Sequence, residues 1–271
     1  MSSGSSHYLD NLAPWDGALY AANTGHHRRY DGDFLATLPL RPTDRVLDIG
    51  CGSGDFTAVV ASQVPDGHVV GLEPQPSLVA EAQRRSGANQ SFVTGPAQAI
   101  AELIELGSFD VVISRAVLHW IPRSDHPGIF AAAAAALRPG GALRIECGGG
   151  DNVRDIVRFF DAVAAPFGAA GNPWSFRPAG EVLDELLALG LSVERGWVRT
   201  VAQRREFDRD AILGWLASQA AQAYEHRLLE ADRSRFRAEV EVRVDELRRG
   251  DGTYDQTFVR LDVLAFAVTD G

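Results

Sequence analysis

Cysteine is scarce in this chain: its 271 residues hold two, Cys51 and Cys147. Two thiols are too few for a disulfide framework or a four-ligand zinc site, so no metal is expected, and the expected location is a reducing cytoplasm. Long apolar runs are lacking as well. The longest run of small apolar residues, IFAAAAAAL at 129–137, falls far short of the roughly 20 residues that cross a bilayer. The opening MSSGSSHYLD has none of the basic-then-apolar order of a secretory leader and reads as a frayed terminus. Net positive charge is absent too, and a balance of -10 repels phosphate backbones and anionic lipid surfaces. Neither nucleic acid nor a membrane is therefore expected as a partner; a small molecule is. Composition leaves the oligomeric state open.

What is present suits one large domain, because 45% hydrophobic residues can bury a full core. Four short runs bounded by Gly, Pro or Asp read as buried strands: RVLDIG at 45, HVVGLE at 68, FDVVIS at 109 and ALRIEC at 142. Helical stretches alternate with them, SLVAEAQRR after Pro76 and the alanine run that Pro139, Gly140 and Gly141 stop. Strand alternating with helix, each strand apolar on both faces, predicts an α/β fold with a parallel sheet covered by helices. After residue 150 a helix near 152–164 gives way to the loop PFGAAGNPW, a helix at 179–190 and a strand LSVERGWVRTV. From 208 to 249 the spacing turns helical again, with Phe236, Val240, Val244 and Leu247 on one face, before a closing strand TFVRLDVLAFAV. The expected organisation is a core over 36–200, a helical insertion over 201–252 acting as a substrate lid, and a final core strand within 253–271.

The stretch RVLDIGCGSGD carries glycine at every second position, Gly50, Gly52 and Gly54, after an apolar strand. In open parallel sheets ligands bind beyond the carboxyl ends of the strands, and bare backbone there lets a ligand approach closely. A dinucleotide fingerprint, G-x-G-x-x-G, would put Asp55 at its last position, where an anion repels pyrophosphate, so NAD is disfavoured. The other pattern, an acid followed by x-G-x-G-x-G, is met at Asp48, Gly50, Gly52 and Gly54.

On those residues the chain resembles class I S-adenosylmethionine-dependent methyltransferases. The resemblance implies a Rossmann-like, mostly parallel seven-stranded sheet with helices on both faces, and S-adenosyl-L-methionine as cofactor. It also implies that the glycine loop, Cys51 included, passes under the methionine part, and that Asp48 holds the loop and the amino group. Glu73, followed by Pro74, matches the acid that accepts both ribose hydroxyls, since two acceptor oxygens suit two adjacent donors. One departure stands out. Where the family carries a Gly-Asp-Ala type run this chain reads TGPAQ, so the adenine is left to Ala97 and Gln98. WDGALY at 15, VLHW after the fourth strand and DGTYDQTFVRLDVLAF are together similar to small-molecule methyltransferases of the trans-aconitate methyltransferase type. In that group the leading segment, here 1–35, folds over the cofactor, which implies Trp15, Tyr20, His26, His27 and Tyr30 near the site. The insertion reads ASQAAQAYE in place of the features of the aconitate enzyme, so trans-aconitate is not taken as the substrate.

Methyl transfer from a sulfonium is an in-line displacement in which the protein mainly aligns the reactants. The run SRAVLHW brings Ser114, Arg115, His119 and Trp120 to the edge that holds the glycine loop. Ser114 is a candidate cofactor contact and Trp120 a candidate wall. His119 is a candidate base or orienting donor, or else a helix-start histidine bonded to backbone. Arg115 could clamp a carboxylate or pair with an acid. Trp174, Phe176, Trp215 and Tyr224 are either core or the wall of an apolar pocket; as a wall they suit carbon methylation of an isoprenoid-type metabolite, while a carboxylate acceptor needs no base. Arg123, Arg177 and the basic runs QRREF and ELRRG read as solvated surface. Two rivals remain: an NAD-dependent oxidoreductase, and a non-catalytic module that kept the cofactor site.

Overall fold

In a computed structural model, residues 32–269 are described. Seven strands form one sheet in the order β3-β2-β1-β4-β5-β7-β6. They are β1 Arg45–Ile49, β2 His68–Glu73, β3 Gln90–Thr94, β4 Phe109–Arg115, β5 Leu137–Gly148, β6 Leu191–Arg205 and β7 Gln256–Ala267. The first five run parallel, and β7 runs antiparallel to both β5 and β6. The order reverses between β1 and β4, which leave the sheet side by side and open a crevice beyond their carboxyl ends.

Why these segments became inner strands is visible in their burial. In β1 the apolar residues alternate between faces: Val46 joins one core with Val60, Val69 and Val111, and Leu47 the other with Leu72, Val112 and Phe130. Helices α1 Asp55–Gln63 and α2 Pro76–Arg85 follow β1 and β2. Helix α3, His126–Ala136, ends two residues earlier than its Pro-Gly stop predicts, because Leu137 already pairs with Phe109 and starts β5.

A separate aromatic core holds the rest. Helix α4, Arg154–Ala164, meets α6 Arg209–Trp215, α7 Ala221–Glu225 and α8 Glu230–Arg243 around Phe160, Tyr224 and Phe236. The insertion between β6 and β7 therefore shares its core with residues 153–174, outside the expected 201–252. Helix α5, Ala179–Ala188, lies between the two regions in sequence and packs Val182 and Leu186 on the sheet. No helix of the described residues is long and apolar enough to cross a membrane.

The three strands at the β6 edge are pinned by charge. Asp262 on β7 receives Arg144 of β5 at 2.6 Å and Arg199 of β6 at 2.8 Å, and Arg144 lies over the Phe34 ring at 4.3 Å. Removing one partner of a buried pair strands the other, so Asp262→Ala should lower the unfolding free energy by about 3 to 5 kcal/mol in urea titrations. Replacing Arg144 and Asp262 together by leucine should cost less than either single change.

Candidate functional site

The three glycines of the β1 loop all have positive φ, 75° at Gly50, 56° at Gly52 and 79° at Gly54, but they do different work. A Cβ on Gly50 would lie 2.3 Å from Val117, and one on Gly54 would lie 2.9 Å from Ala82; one on Gly52 would meet nothing within 4 Å. Gly50 and Gly54 are packing glycines, and Gly52 keeps open space bare. Glu73, at the end of β2, reaches across: its Oε2 accepts the Gly52 N–H at 3.1 Å and its Oε1 that of Gln75 at 3.1 Å. A carboxylate has about four lone-pair sites, so one on each oxygen is left over. Burial raises the Glu73 value above the usual carboxylate range, with Asp48 adding to it and the two backbone donors opposing.

Asp48 is buried one strand away and accepts the Thr57 hydroxyl at 2.7 Å. Burial lifts its pKa to about 6, while Thr57 and Arg115 pull the other way. Thr57 was missed in the sequence, since a threonine inside α1 looks like ordinary helix surface. The Arg115 guanidinium lies over Phe56 at 4.8 Å and Phe34 at 5.7 Å, on the Asp48 side of the strand end. It is absent from the lining of the aromatic cavity. Ser114 turns back into the sheet, where its hydroxyl donates to Ile49 O at 3.2 Å. Cys51 is buried, and desolvation with Asp48 and Glu73 nearby pushes its thiol far up. Pro74 is half-buried beside Glu73. Ala97 is buried in a turn after β3, and Gln98 donates through Nε2 to Asp125 at 2.9 Å, which leaves its Oε1 without a partner. Trp15, Tyr20, His26, His27 and Tyr30 lie outside the described residues.

Past Val117 the same segment lines a second space. Ala116, His119 and Trp120 face a cavity walled further by Trp174, Phe176, Trp215 and Phe258. The rings support one another: Trp174 stacks on Phe176 at 5.6 Å, and Trp120 meets Trp174 edge-on at 6.0 Å. His119 is fixed by backbone, its Nδ1 accepting the Gly148 N–H at 3.3 Å. Burial, Arg260 and His126 together lower its pKa to about 3, so the ring is neutral and its proton sits on Nε2.

Tyr224 is the aromatic the structure does not bring to the cavity. It is fully buried in the helical core, stacked on Phe160 at 4.9 Å with its hydroxyl donating to Asp161 at 2.9 Å. Helical spacing could not separate core from wall there. Seven cavity residues went unrecognised: Ala116, Asn152, Val153, Arg205, Gln219, Phe258 and Arg260. QRREF is a solvated face only in part: its first three residues end β6, Arg204 and Glu206 stay exposed, and the alternation turns Arg205 inward over the Phe258 ring at 4.0 Å. Arg177 is likewise buried, paired with Glu185 and Glu181.

An aspartate whose folded pKa lies above its unfolded 3.8 gives stability that is full below that value and lost as pH rises through about 6. Asn at this position still accepts the Thr57 hydroxyl without the charge. Asp48→Asn should therefore be more stable than wild type at pH 8 by up to about 3 kcal/mol, and the gap should close at pH 4 in denaturant titrations.

The chain matches the family profile of a methyltransferase domain over residues 46–141. It is 30% identical over 271 aligned positions to trans-aconitate 2-methyltransferase from Variovorax paradoxus, covering 94% of this chain and 98% of the relative. To the enzyme of the same name from Methylobacterium radiotolerans it is 31% identical over 214 positions, 76% of this chain and 79% of the relative. Among solved structures, the YcgJ protein from Bacillus subtilis superposes with a TM-score of 0.61 at 16% identity, over 90% of this chain and 100% of that one, a likeness of fold. The oxidoreductase reading falls away with these matches. Similarity of this extent, on a sheet with this strand order and this glycine loop, means that the chain belongs to the class I S-adenosylmethionine-dependent methyltransferases of the trans-aconitate methyltransferase type.

Proposed function

We propose that this enzyme transfers the methyl group of S-adenosylmethionine to a small acceptor with an apolar body, at a carboxylate oxygen or at carbon, within specialised metabolism in the cytoplasm. One observation carries the reading. The segment after β4 packs Val117 against Gly50 of the glycine loop and turns Ala116, His119 and Trp120 into the aromatic cavity. Cofactor space and acceptor space are thus two sides of one short stretch of chain.

The residues present fit the cofactor. Bare backbone at Gly52 leaves room, the remaining lone pairs of Glu73 suit two ribose hydroxyls, and the unpartnered Oε1 of Gln98 suits an adenine amino group. Asp48 holds the loop from beneath, and Cys51, Pro74 and Ala97 form its walls. We assign the insertion to a lid over the acceptor space, since its members Trp215 and Gln219 line the cavity; the expected cap over 1–35 lies, up to residue 31, outside the described residues. Nucleic acid has no place in this reading, and the non-catalytic alternative is tested with it.

When bound, the cofactor supplies an activated methyl group on sulfonium. What this chain's residues add is orientation, worth roughly 7 to 11 kcal/mol in well-aligned systems, and exclusion of water by the rings. His119 is an orienting donor through Nε2–H, because its other nitrogen is occupied by Gly148 N–H and its pKa of about 3 makes it a poor base at neutral pH.

Calorimetry with S-adenosylhomocysteine separates the glycines. Gly52→Val should weaken binding at least about tenfold by filling the ligand's space, at a stability cost of about 1 to 2 kcal/mol for the left-handed backbone. Glu73→Ala should weaken it by about 1 to 3 kcal/mol; unchanged affinity in both variants would remove the loop from the site. With labelled methyl donor and a panel of carboxylic acids, phenols and isoprenoids, turnover should show no ionisation belonging to His119 between pH 5 and 8. A pKa near 6.5 that vanishes in His119→Gln would make it a base instead, and binding without transfer to any acceptor would favour the non-catalytic module.

A further inference from the structure

Asn152 lines the aromatic cavity, and the backbone decides which end of its amide is left for a ligand. Its Oδ1 accepts the Val259 N–H of β7 at 2.9 Å. A nitrogen cannot take that place, because a backbone N–H needs an acceptor, so the amide is locked with Nδ2 as its unused end. Among the described residues no hydrogen bond engages that Nδ2. A glycine marks where it lies: a Cβ on Gly148 would be 2.7 Å from Asn152 Nδ2 and 2.5 Å from the Phe176 ring. Bare backbone at Gly148 thus makes room for an amide and a ring that both belong to the lining.

His119 meets the same glycine. Its Nδ1 accepts the Gly148 N–H at 3.3 Å, which leaves Nε2–H as a donor. Two uncharged donors therefore adjoin Gly148, each oriented by a backbone N–H, one from β5 and one from β7. The chain around Asn152 is strained. Asp151 has φ 63° and Val153 φ 44°, a left-handed region that β-branched residues rarely enter, and such strain concentrates at ligand sites. Three bonds hold it in place: Gly149 N–H to Val259 O at 2.9 Å, Gly150 N–H to Arg177 O at 2.9 Å and Asn152 N–H to Gly149 O at 3.0 Å.

Charge decides which head group these donors select. Arg260 is paired with Glu146 at 2.7 Å, and Arg205 has contacts of its own, among them the Phe258 ring at 4.0 Å, so neither supplies an unbalanced charge. A buried ion without a counter-charge is costly, whereas a buried neutral oxygen needs only a donor. An ammonium would meet donors alone, and a carboxylate would exchange its water for neutral N–H groups. A ketone-type carbonyl gains the hydrogen bonds at the smallest desolvation cost.

We propose that Asn152 is a specificity-determining residue of the acceptor pocket: its Nδ2 donates to an uncharged carbonyl oxygen on an acceptor whose remaining body lies among the rings, with His119 Nε2–H as the neighbouring donor. This rests on the reading of the cavity as acceptor space, and it narrows that reading to carbonyl compounds.

The test uses four molecules with one ring and different heads: acetophenone, its alkene isostere α-methylstyrene, benzoate and 1-phenylethylamine. Each is titrated calorimetrically into protein saturated with S-adenosylhomocysteine. Acetophenone should bind about tenfold more tightly than α-methylstyrene, benzoate no more tightly than acetophenone, and the amine weakest. Asn152→Asp keeps an oxygen for Val259 N–H but turns the donor into an acceptor. It should lower acetophenone affinity at least about tenfold and leave α-methylstyrene nearly unchanged, a dependence on head group that a purely structural role would not produce. In wild type the infrared carbonyl stretch of bound, isotopically labelled acetophenone should lie below its position in hexane, which tests the hydrogen bond even where a variant does not fold. Equal binding of ketone and alkene, a preference for benzoate or the amine, an unshifted stretch, or wild-type ketone affinity in Asn152→Asp would overturn the proposal. Binding of none of the four would defeat the acceptor reading of the cavity and the proposal with it. S-adenosylhomocysteine should bind wild type and variant alike; its failure to bind wild type would defeat the cofactor reading instead.

Discussion

Val117 occupies the place that a side chain on residue 50 would need. That steric exclusion ties the end of β4 to the loop after β1, and much of the site's geometry follows from it. Because the chain turns sharply at Ala116, where φ is positive, Val117 goes to the loop while its neighbours Ala116 and His119 go to the cavity. A two-compartment site is thereby built from one crevice, the place where a parallel sheet reverses its order and leaves the carboxyl ends of two strands without a covering crossover.

Around that junction the protein accepts unfavourable electrostatics. Asp48 and Glu73 are both buried, both are raised by desolvation, and the Asp48 charge adds to the rise at Glu73. Neighbouring carboxylates kept out of water are poor stabilisers, so their presence fits a role in holding a ligand rather than the fold. The aromatic cavity shows the opposite character. Its rings pack on one another, His119 is held neutral, and positive charge enters from the β6 and β7 strands that close the sheet.

The cofactor half was legible in the sequence because its parts are local: an acid, three alternating glycines and a second acid at the end of the next strand fall within Asp48 to Glu73. Fold class was legible for a similar reason, since apolar runs of strand length alternated with helices up to residue 150. The acceptor half was only partly so. Trp120, Trp174, Phe176 and Trp215 reach the cavity, but Tyr224, an aromatic of the same insertion as Trp215, went to the core. Arg205 and Arg260 meet there only because β6 and β7 pair antiparallel across an insertion of about fifty residues, and no short-range pattern reports such a register. Residue type misled at Arg177, whose partners Glu181 and Glu185 make an arginine on the sheet's flank a buried one. Gln219 was hidden for a further reason, since a π turn shifts every later residue round the helix axis relative to the usual spacing.

The most direct measurement is a crystal structure of the protein with S-adenosylhomocysteine. The account predicts ribose hydroxyls within hydrogen-bonding distance of the Glu73 carboxylate, backbone of Gly52 under the amino-acid portion, and the sulfur directed past Ala116 toward the ring of His119. A nucleoside found elsewhere, or a sulfur facing away from the aromatic cavity, would contradict it.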